Sequence, residues 1–331
     1  MISIIMPVYN SAPFIGEAID SILNQTYKDI ELIIINDGST DNSASIIESY
    51  NDNRIKLINN DSNKGIVYSL NKSISMSSGQ YIARMDSDDI ANIDRLESQL
   101  KYLNLHNLDI CGSSINTFGL MRRIINYPET TQDVKFFSIF GSPVAHPTAF
   151  GYAQLFKKYP YRNVTAEDYD LWTRMLMDGV NIGNIQVPLL DYRIHEGQLT
   201  EDKTDIIKSS MSISKSYIKE YVQNNTTRGI LESCDCFMGE SLDLKEITEA
   251  AKNLSNFAKE NKVSKSMHSR ALFIIFSRSK SFNLFTFFSY MSAIRNSGEG
   301  LIGSINIKLS LLMIFSIKKN SNFIAFLKRY F

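Results

Sequence analysis

The chain has 331 residues, is 44% hydrophobic and 11% aromatic, and carries a formal net charge of zero, which predicts a globular protein with a full core. Its three cysteines are an odd number without paired zinc spacing, so a disulfide framework is disfavoured and free thiols in a reducing compartment are predicted. No run of eighteen apolar residues occurs, and no membrane-spanning helix is predicted.

Strands and helices alternate through the first 105 residues. Residues 2–9 form a short apolar run without a basic leader, which predicts a first strand and not a signal peptide. After Pro13, apolar residues recur at helical spacing from Phe14 to Leu23. Further strands are predicted at 31–35, 55–58 and 80–85, and further helices at 40–50, 65–76 and 92–105. This order predicts an α/β fold with a mainly parallel sheet covered on both faces.

Polar loops follow the carboxyl ends of the predicted strands, where ligands of such sheets bind. They comprise residues 7–10, 36–41, 63–65 and 86–89. The sequence contains no Gly-x-Gly-x-x-Gly fingerprint and no Gly-Lys-Ser/Thr phosphate loop, which disfavours a dinucleotide dehydrogenase or an NTPase of those types. The predicted edge suits a nucleotide that is held by carboxylates and a metal ion.

Three carboxylates, Asp86, Asp88 and Asp89, follow the apolar residues of the fourth strand. Carboxylates this close in sequence repel one another unless a cation lies among them, and Mg²⁺ or Mn²⁺ combines carboxylate ligands with phosphate oxygens. The cluster therefore predicts a metal that carries a phosphorylated ligand. The alternative is a helix cap, since Asp89 or Asn92 is also suited to begin the next helix.

Several motifs agree in order and spacing with the family 2 inverting glycosyltransferases of the GT-A fold, and the chain resembles that family over about residues 1–200. The motifs are Pro7-Val8-Tyr9-Asn10, Asn-Asp-Gly-Ser-Thr-Asp at 36–41, Asp-x-Asp-Asp at 86–89, Ala-His-Pro-Thr at 145–148, Glu-Asp-Tyr-Asp-Leu-Trp at 167–172 and Tyr-Arg-Ile-His-Glu-Gly at 192–197. The resemblance implies a GT-A fold and transfer of a sugar from a nucleoside-diphosphate donor.

The resemblance also implies roles for individual residues. Pro7, Val8, Tyr9 and Asn10 would lie against the nucleotide base, and Asp37 with its turn would contact base and ribose. Among the carboxylates, Asp88 is our choice for the direct Mn²⁺ or Mg²⁺ ligand, Asp86 meets the ribose or a metal-bound water, and Asp89 orients the loop or caps the helix. Gly65, in the loop after the third strand, completes the donor candidates. Two of these residues also have a purely structural interpretation. Tyr9 could be a core tyrosine, and Asp37 could be an aspartate that only stabilises its turn.

Glycosyl transfer to a hydroxyl needs a base, and a carboxylate beside the acceptor is the simplest one. Asp168 is the candidate base, and Glu167 is a supporting or acceptor-contacting group. Asp168 begins a helix whose apolar residues, including Leu171 and Trp172, are predicted to face the core. The alternative is a capping box from Thr165 to Asp168, in which the acid only stabilises the helix start.

Two histidines complete the candidates. His195 follows a largely apolar segment and precedes a glycine-containing loop, so it could reach back to the metal or the diphosphate. His146 lies before a proline and is assigned to the acceptor side. Most lone histidines have no such role, and Trp172 is interpreted as a core residue more readily than as a sugar platform.

The pattern changes from Lys203 onward, so we predict a catalytic domain at 1–202 and a helical region at 203–331. From Lys265 the sequence has ten Lys or Arg against one acid, and it alternates apolar, aromatic segments with basic residues. Predicted helical segments lie at 203–225, 245–260, 271–276, 282–291 and 309–317. Such a region fits an anionic membrane interface. A helical subdomain docked on the acidic body or on a second subunit is the alternative.

The sequence thus predicts an inverting, metal-dependent glycosyltransferase that uses a UDP- or dTDP-sugar and a glycan or lipid-linked glycan acceptor. A bacterial surface-polysaccharide pathway at the cytoplasmic face of the membrane is implied by the resemblance. No nucleic-acid partner is predicted, and a homo-oligomer is left open. The rivals are a nucleotidyltransferase, which would need a glycine-rich basic first loop absent from residues 7–11, and a catalytically silent nucleotide-sugar-binding scaffold.

Overall fold

A computed structural model describes residues 1–195, 203–223, 243–276, 289–290 and 292–294. The chain forms two compact units, one of residues 1–134 with 142–213 and one of residues 135–141 with 214–331. The domain boundary at residues 202 and 203 stays a prediction. Within the described part of the chain, no helix is both long and apolar enough to span a bilayer.

The first half of the first unit alternates strands and helices in the predicted order. β1, β2, β3 and β4 form a parallel block in the order β3-β2-β1-β4. The elements are β1 (Ile2–Val8), α1 (Ile15–Leu23), β2 (Ile30–Asn36), α2 (Ser43–Glu48), β3 (Ile55–Asn59), α3 (Ile66–Met76) and β4 (Tyr81–Arg84). β1 and β2 are buried along almost their whole length, which explains their runs of isoleucine.

The second half extends the sheet with mixed pairing, in the order β4-β8-β6-β9-β5, and β7 pairs with β6. Four of these contacts are antiparallel, whereas β6 and β9 run parallel. The elements are β5 (Ile90–Ala91), α4 (Arg95–Leu105), β6 (Ile110–Gly119), β7 (Arg123–Ile125), α5 (Thr131–Phe137), a 3₁₀ turn (His146–Thr148), β8 (Phe150–Tyr152), α6 (Ala153–Lys158), α7 (Glu167–Met177) and β9 (Ile182–Ile194). The predicted α/β fold is confirmed, and its sheet is entirely parallel in the first half but mixed in the second.

The second unit is helical where it is described. Helix α8 (Lys203–Gln223) begins in the first unit and continues into the second, and α9 (Leu244–Glu260) and α10 (Lys265–Phe276) lie within the second. Phe136 stacks on Phe257 at 6.2 Å, and the Tyr217 hydroxyl donates to the Lys135 carbonyl at 3.0 Å. Asp243 and Glu246 form a capping box at the start of α9. These contacts make residues 135–141 part of the helical unit.

Some predictions fall outside the described residues. These are the segment 309–317, the segment 282–291 apart from residues 289 and 290, and the thiols of Cys234 and Cys236. The third cysteine, Cys111, is a free and buried thiol, as predicted.

The buried Glu31 on β2 makes the free energy of unfolding depend on pH, because its pKa is lowered in the folded protein. Burial raises the pKa of Glu31, but hydrogen bonds from Lys56, Ser3 and Ser78 outweigh burial and lower the pKa from 4.5 to about 2. A depressed folded-state pKa stabilises the fold above the unfolded-state pKa, and this stabilisation is lost as the pH falls towards 2. The shift corresponds to about 3 kcal/mol in the free energy of unfolding.

We therefore expect Glu31→Gln to flatten the acid side of the stability curve. Urea unfolding followed from neutral pH to about pH 2 should show the free energies of wild type and Glu31→Gln converging as the pH drops through this window. Glu48→Gln, at an exposed position on α2, serves as the control. Parallel curves for wild type and Glu31→Gln would contradict the assignment.

Candidate active site

Hydrogen bonds join the loops that follow β1, β2 and β4. Asn10 has a left-handed backbone (φ 50°), its N–H donates to the Ser39 hydroxyl at 3.0 Å, and its side-chain oxygen accepts from the Thr40 N–H at 2.8 Å. The Ser11 hydroxyl lies 2.7 Å from the Ser87 hydroxyl. The loops of three neighbouring strands are therefore fixed to one another at the carboxyl edge of the sheet.

Asp41 adds a further tie between the first two loops. One carboxylate oxygen accepts from the Ala12 N–H at 2.9 Å, and the other accepts from the Ser43 N–H and hydroxyl at 2.9 and 2.5 Å. Ser43 in turn accepts from the N–H of Ser11 at 2.8 Å. Asp41 closes the 36–41 motif, and its bonds show that this residue holds the loop in place.

The residues of the motif at 7–10 differ in their exposure to solvent. Tyr9 is 47% exposed, so its ring is accessible at the sheet edge, whereas Val8 is buried in the core. The Val8 carbonyl accepts from the Asp37 N–H at 2.8 Å, and Pro7 lies opposite Ile35 in the sheet. Of the four predicted donor contacts in this motif, Tyr9 and Asn10 expose side chains, and Val8 has only its backbone to offer.

Asp37 organises the loop that follows β3. Its carboxylate accepts from the Asn60 side chain at 2.6 Å and from the N–H groups of Lys64 and Gly65 at 2.9 and 2.8 Å. Gly38 (φ 71°) permits this close approach, because a Cβ there would lie 2.6 Å from the Ser62 backbone. Asp37 and Gly65, both predicted donor contacts, are thus in direct contact with each other.

The three carboxylates that follow β4 converge. Oxygen atoms of Asp86, Asp88 and Asp89 all lie within 4.8 Å of one another. Asp89 is fully buried, and its Oδ1 accepts from the Arg193 N–H at 2.9 Å while its Oδ2 has no hydrogen-bond partner. Burial, followed by the charges of Asp86 and Asp88, raises the pKa of Asp89 well above its usual range. Burial also raises the pKa of Asp86.

This crowding fits a divalent cation. An unpartnered buried carboxylate oxygen and mutually repelling acids are unfavourable by themselves, and a cation among them would satisfy both. The donor atoms are all carboxylate oxygens, which are the ligands that Mg²⁺ and Mn²⁺ prefer.

The end of β9 lies against Asp88. The His195 Nε2 is 3.0 Å from the Asp88 Oδ2, and Arg193 donates from Nε to the Asp88 carbonyl at 2.7 Å. The Arg193 guanidinium also packs on the rings of Phe14 and Phe118, at 4.8 and 4.4 Å. The sequence analysis proposed that His195 could reach back to the metal or the diphosphate, and the structure places its ring beside the Asp88 carboxylate.

Two buried arginines lie beneath the cluster. Arg84, which is 2% exposed, forms an ion pair with Asp86, and its Nε has no partner. Arg95 is fully buried and donates to the Arg84 carbonyl at 2.7 Å and to the Gln99 side chain at 3.0 Å. Arg95 therefore holds the end of β4, while Arg84 places a positive charge beside the carboxylates.

A second acidic group lies at the start of α7. The Ser142 hydroxyl donates to the Asp168 Oδ2 at 2.8 Å. Burial raises the pKa of Asp168, and burial together with the Asp168 charge raises the pKa of Glu167 to about 7. The helix begins after Ala166, which has a left-handed backbone (φ 72°) and makes no side-chain cap. The capping box considered for Thr165 is therefore not formed.

His146 borders this acidic pair. Its Nε2 lies 2.9 Å from the Tyr161 hydroxyl, and its Nδ1 lies 3.7 Å from a Glu167 oxygen. Burial, and then the charge of Arg84, lowers the pKa of His146 well below its usual value, so the imidazole is neutral at pH 7. Trp172 is fully buried with its ring edge towards His146, which places it in the core, as predicted.

Arg84, Arg193, Ser142 and Tyr161 are not among the site residues predicted from the sequence, although Arg84 was considered as a diphosphate or loop contact. Arg84 is the electrostatic link between the two acidic groups, because its charge acts on the pKa values of both Asp86 and Asp168. The sequence does contain an indication of the role of Arg84, because this arginine ends an apolar strand and lies next to three acids. Ser142 and Tyr161 lie outside regular elements, where sequence periodicity gives no signal.

The chain is similar to several known proteins. Residues 3–164 match the family model described as Glycosyl transferase family 2. The O-antigen biosynthesis glycosyltransferase WbnJ of Escherichia coli is 38% identical over 205 residues, which cover 59% of this chain and 80% of that protein. A second E. coli protein, the UDP-Glc:alpha-D-GlcNAc-diphosphoundecaprenol beta-1,3-glucosyltransferase WfgD, is 29% identical over 69% of this chain and 89% of its own.

The fold is also found among solved structures. The crystal structure of Staphylococcus aureus TarS 1–349 in complex with UDP-GlcNAc matches with a TM-score of 0.56, covering 95% of this chain and 91% of that chain. Sequence identity in that comparison is 17%, so the likeness concerns the fold.

Proposed function

The chain belongs to glycosyl transferase family 2, and from this premise we propose that it is an inverting, metal-dependent transferase. It transfers a sugar from a UDP- or dTDP-sugar to a hydroxyl of a glycan or lipid-linked glycan. Such transfer takes part in the synthesis of a surface polysaccharide such as O-antigen or capsule. The proposal favours catalysis over the nucleotidyltransferase and the silent binding scaffold.

One observation carries the proposal: the structure holds two separate acidic groups, one at the end of β4 and one at the start of α7. The first group consists of Asp86, Asp88 and Asp89 at the end of β4. The second contains Asp168, which is partly removed from solvent at the start of α7. A transferase needs these two functions, because charge develops on the departing diphosphate while the acceptor loses a proton. A binding scaffold would have no use for the second group.

On the donor side, Asp88 and Asp86, with His195 at Asp88, would hold Mn²⁺ or Mg²⁺. When bound, such an ion acts as a Lewis acid that stabilises the negative charge of a leaving diphosphate. Arg193 keeps Asp88 in position through the Asp88 carbonyl. The exposed ring of Tyr9 offers a stacking surface for a base, and the names of WfgD and of the TarS complex support a uridine nucleotide.

On the acceptor side, Asp168 accepts the proton of the attacking hydroxyl as the new glycosidic bond forms and the bond to the diphosphate breaks. The Ser142 hydroxyl fixes one Asp168 oxygen at 2.8 Å, and burial makes Asp168 more basic than an exposed aspartate. A single base acting opposite the leaving group gives inversion. Glu167 and neutral His146 would contact the acceptor.

The nature of the acceptor and the cellular location of the enzyme are also part of the proposal. The diphosphoundecaprenol in the WfgD name supports a lipid-linked acceptor, and the enzyme is proposed to act at the cytoplasmic face of the membrane, where such an acceptor would be available. The basic, aromatic region after residue 203 would contact that membrane or a second copy of the chain.

Donor turnover tests the proposal. Nucleoside diphosphate release is measured from UDP-, dTDP- and GDP-sugars with Mn²⁺ or Mg²⁺, and the anomeric configuration of the released sugar or product is followed by NMR. We expect slow hydrolysis of one uridine or thymidine donor, abolished by EDTA, with inverted configuration. No binding of any sugar nucleotide would overturn the proposal, and retained configuration would overturn its inverting mechanism.

A further inference from the structure

An exposed hairpin projects beside the carboxylate cluster. Residues 118–125, which we name the 118–125 hairpin, connect the end of β6 to β7. Leu120 and Ile124 are 64% and 60% exposed, and Arg122 and Arg123 are also exposed. Two aliphatic and two cationic side chains thus lie within five consecutive residues and face solvent.

The hairpin is fixed to the catalytic edge. The Leu120 N–H donates to the Ile194 carbonyl at 3.1 Å, and Gly119 (φ 87°) approaches that carbonyl so closely that a Cβ would lie 2.5 Å from it. Ile194 directly precedes His195, which contacts Asp88. Phe118, at the base of the hairpin, packs its ring against the Arg193 guanidinium, and the Arg193 Nε donates to the Asp88 carbonyl.

The hairpin's arginines are available for a partner. Among the described residues, arginine ion pairs are formed by Arg54, Arg84, Arg162, Arg174 and Arg193, and not by Arg122 or Arg123. On β9, Asp191 lies opposite Asn116, which pairs with Ile124. The Asp191 carboxylate accepts from the Asn116 side chain at 2.8 Å, so this acid is bonded on the sheet face of Ile124 and not on that of Arg123. The arginines therefore form a local positive surface next to exposed aliphatic groups.

We propose that the 118–125 hairpin binds the surface of an anionic lipid bilayer. Cations near such a surface are attracted by anionic headgroups, and aliphatic side chains enter the headgroup boundary. A polyanionic glycan or a nucleic acid would account for the arginines but not for the exposure of Leu120 and Ile124. A bilayer accounts for both.

Binding at this hairpin turns the edge that holds Asp88 towards the membrane. This consequence rests on the proposed function, because it is useful only when the acceptor is attached to a lipid. The membrane contact itself does not depend on catalysis. It is also distinct from the contact proposed for the region after residue 203.

Vesicle co-sedimentation of the full chain tests the inference. Vesicles of phosphatidylcholine are compared with vesicles that also contain phosphatidylglycerol. Each arginine is expected to contribute about fivefold to partitioning, so Arg122→Gln/Arg123→Gln should lower binding to anionic vesicles about 25-fold. The matched control Lys28→Gln/Lys101→Gln removes two exposed charges elsewhere and should change binding less than about twofold. Leu120→Ser/Ile124→Ser should lower binding about threefold or more.

Equal losses in the hairpin and control variants would overturn the inference, as would an unchanged hairpin variant or a wild type that does not bind anionic vesicles. Binding to dextran sulfate but not to vesicles would overturn it as well. Thermal melting confirms that the exposed substitutions leave the fold intact. Donor hydrolysis measured without vesicles should be equal in all variants, so failure of the proposed function is read separately from failure of membrane binding.

Discussion

Replacing Asp168 with asparagine is expected to lower kcat by about 10²–10⁴-fold while donor affinity stays within about twofold. Asparagine has nearly the same shape as aspartate, so the contact with Ser142 is kept and the ability to accept a proton is lost. Initial-rate kinetics with a sugar acceptor, together with calorimetric titration of the donor, separates the two quantities.

Two neighbouring acids in α7 are compared with Asp168, one as a control and one as the alternative base. Asp170 lies two residues further on and pairs with Arg174 at 2.8 Å, so Asp170→Asn removes a carboxylate of the same helix and should keep kcat within about tenfold. Glu167→Gln should have an intermediate effect, through the acceptor. If Asp168→Asn retained wild-type kcat and Glu167→Gln lost it, the base would be Glu167.

Asp88→Ala is expected to abolish divalent-ion binding and to lower the rate of transfer by about 10³-fold or more, since stabilisation by such an ion amounts to several kcal/mol. The Asp88 carboxylate is the one that His195 contacts, and it lies within the cluster of three acids, so its loss removes a donor oxygen from the centre of the proposed metal site. Mn²⁺ binding followed by electron paramagnetic resonance gives a readout that does not depend on turnover.

Glu48→Ala removes an exposed acid on α2 and should leave Mn²⁺ binding unchanged. His195→Ala should weaken Mn²⁺ binding by less than Asp88→Ala does, because the carboxylates remain. Full Mn²⁺ binding by Asp88→Ala, or transfer that resists EDTA, would show that the three acids serve a purpose other than metal binding.

The parts of the fold that were predictable follow local rules. The strands β1 to β4 are apolar runs separated by helices, and their register places the polar loops at one edge by geometry alone. β6 was not predicted, because its Ser113 and Ser114 are buried polar residues that hydrogen-bond locally and interrupt the apolar pattern. The antiparallel pairs of β8 depend on contacts distant in sequence, which periodicity does not report.

The site shows the same division. Asp86, Asp88 and Asp89 are neighbours in sequence, so their meeting in space could be predicted. The interaction of Asp168 with Ser142 joins residues 26 positions apart, and only the fold brings them together. Arg84 is the instructive case, because a charged residue at the end of a strand normally faces solvent, whereas here it is buried with Asp86 as its counter-ion.

The hydrogen bonds among the loops after β1, β2 and β4 make the three loops one structural unit. Exchanging one loop for that of a relative would leave Asp41 or Asn10 without the groups that it now binds, and each lost hydrogen bond costs about 0.5–1.5 kcal/mol. Protein engineers who wish to change the donor should therefore transplant residues 9–12, 36–43 and 86–89 together. Natural divergence in donor choice would be expected to proceed by coordinated substitutions across all three segments.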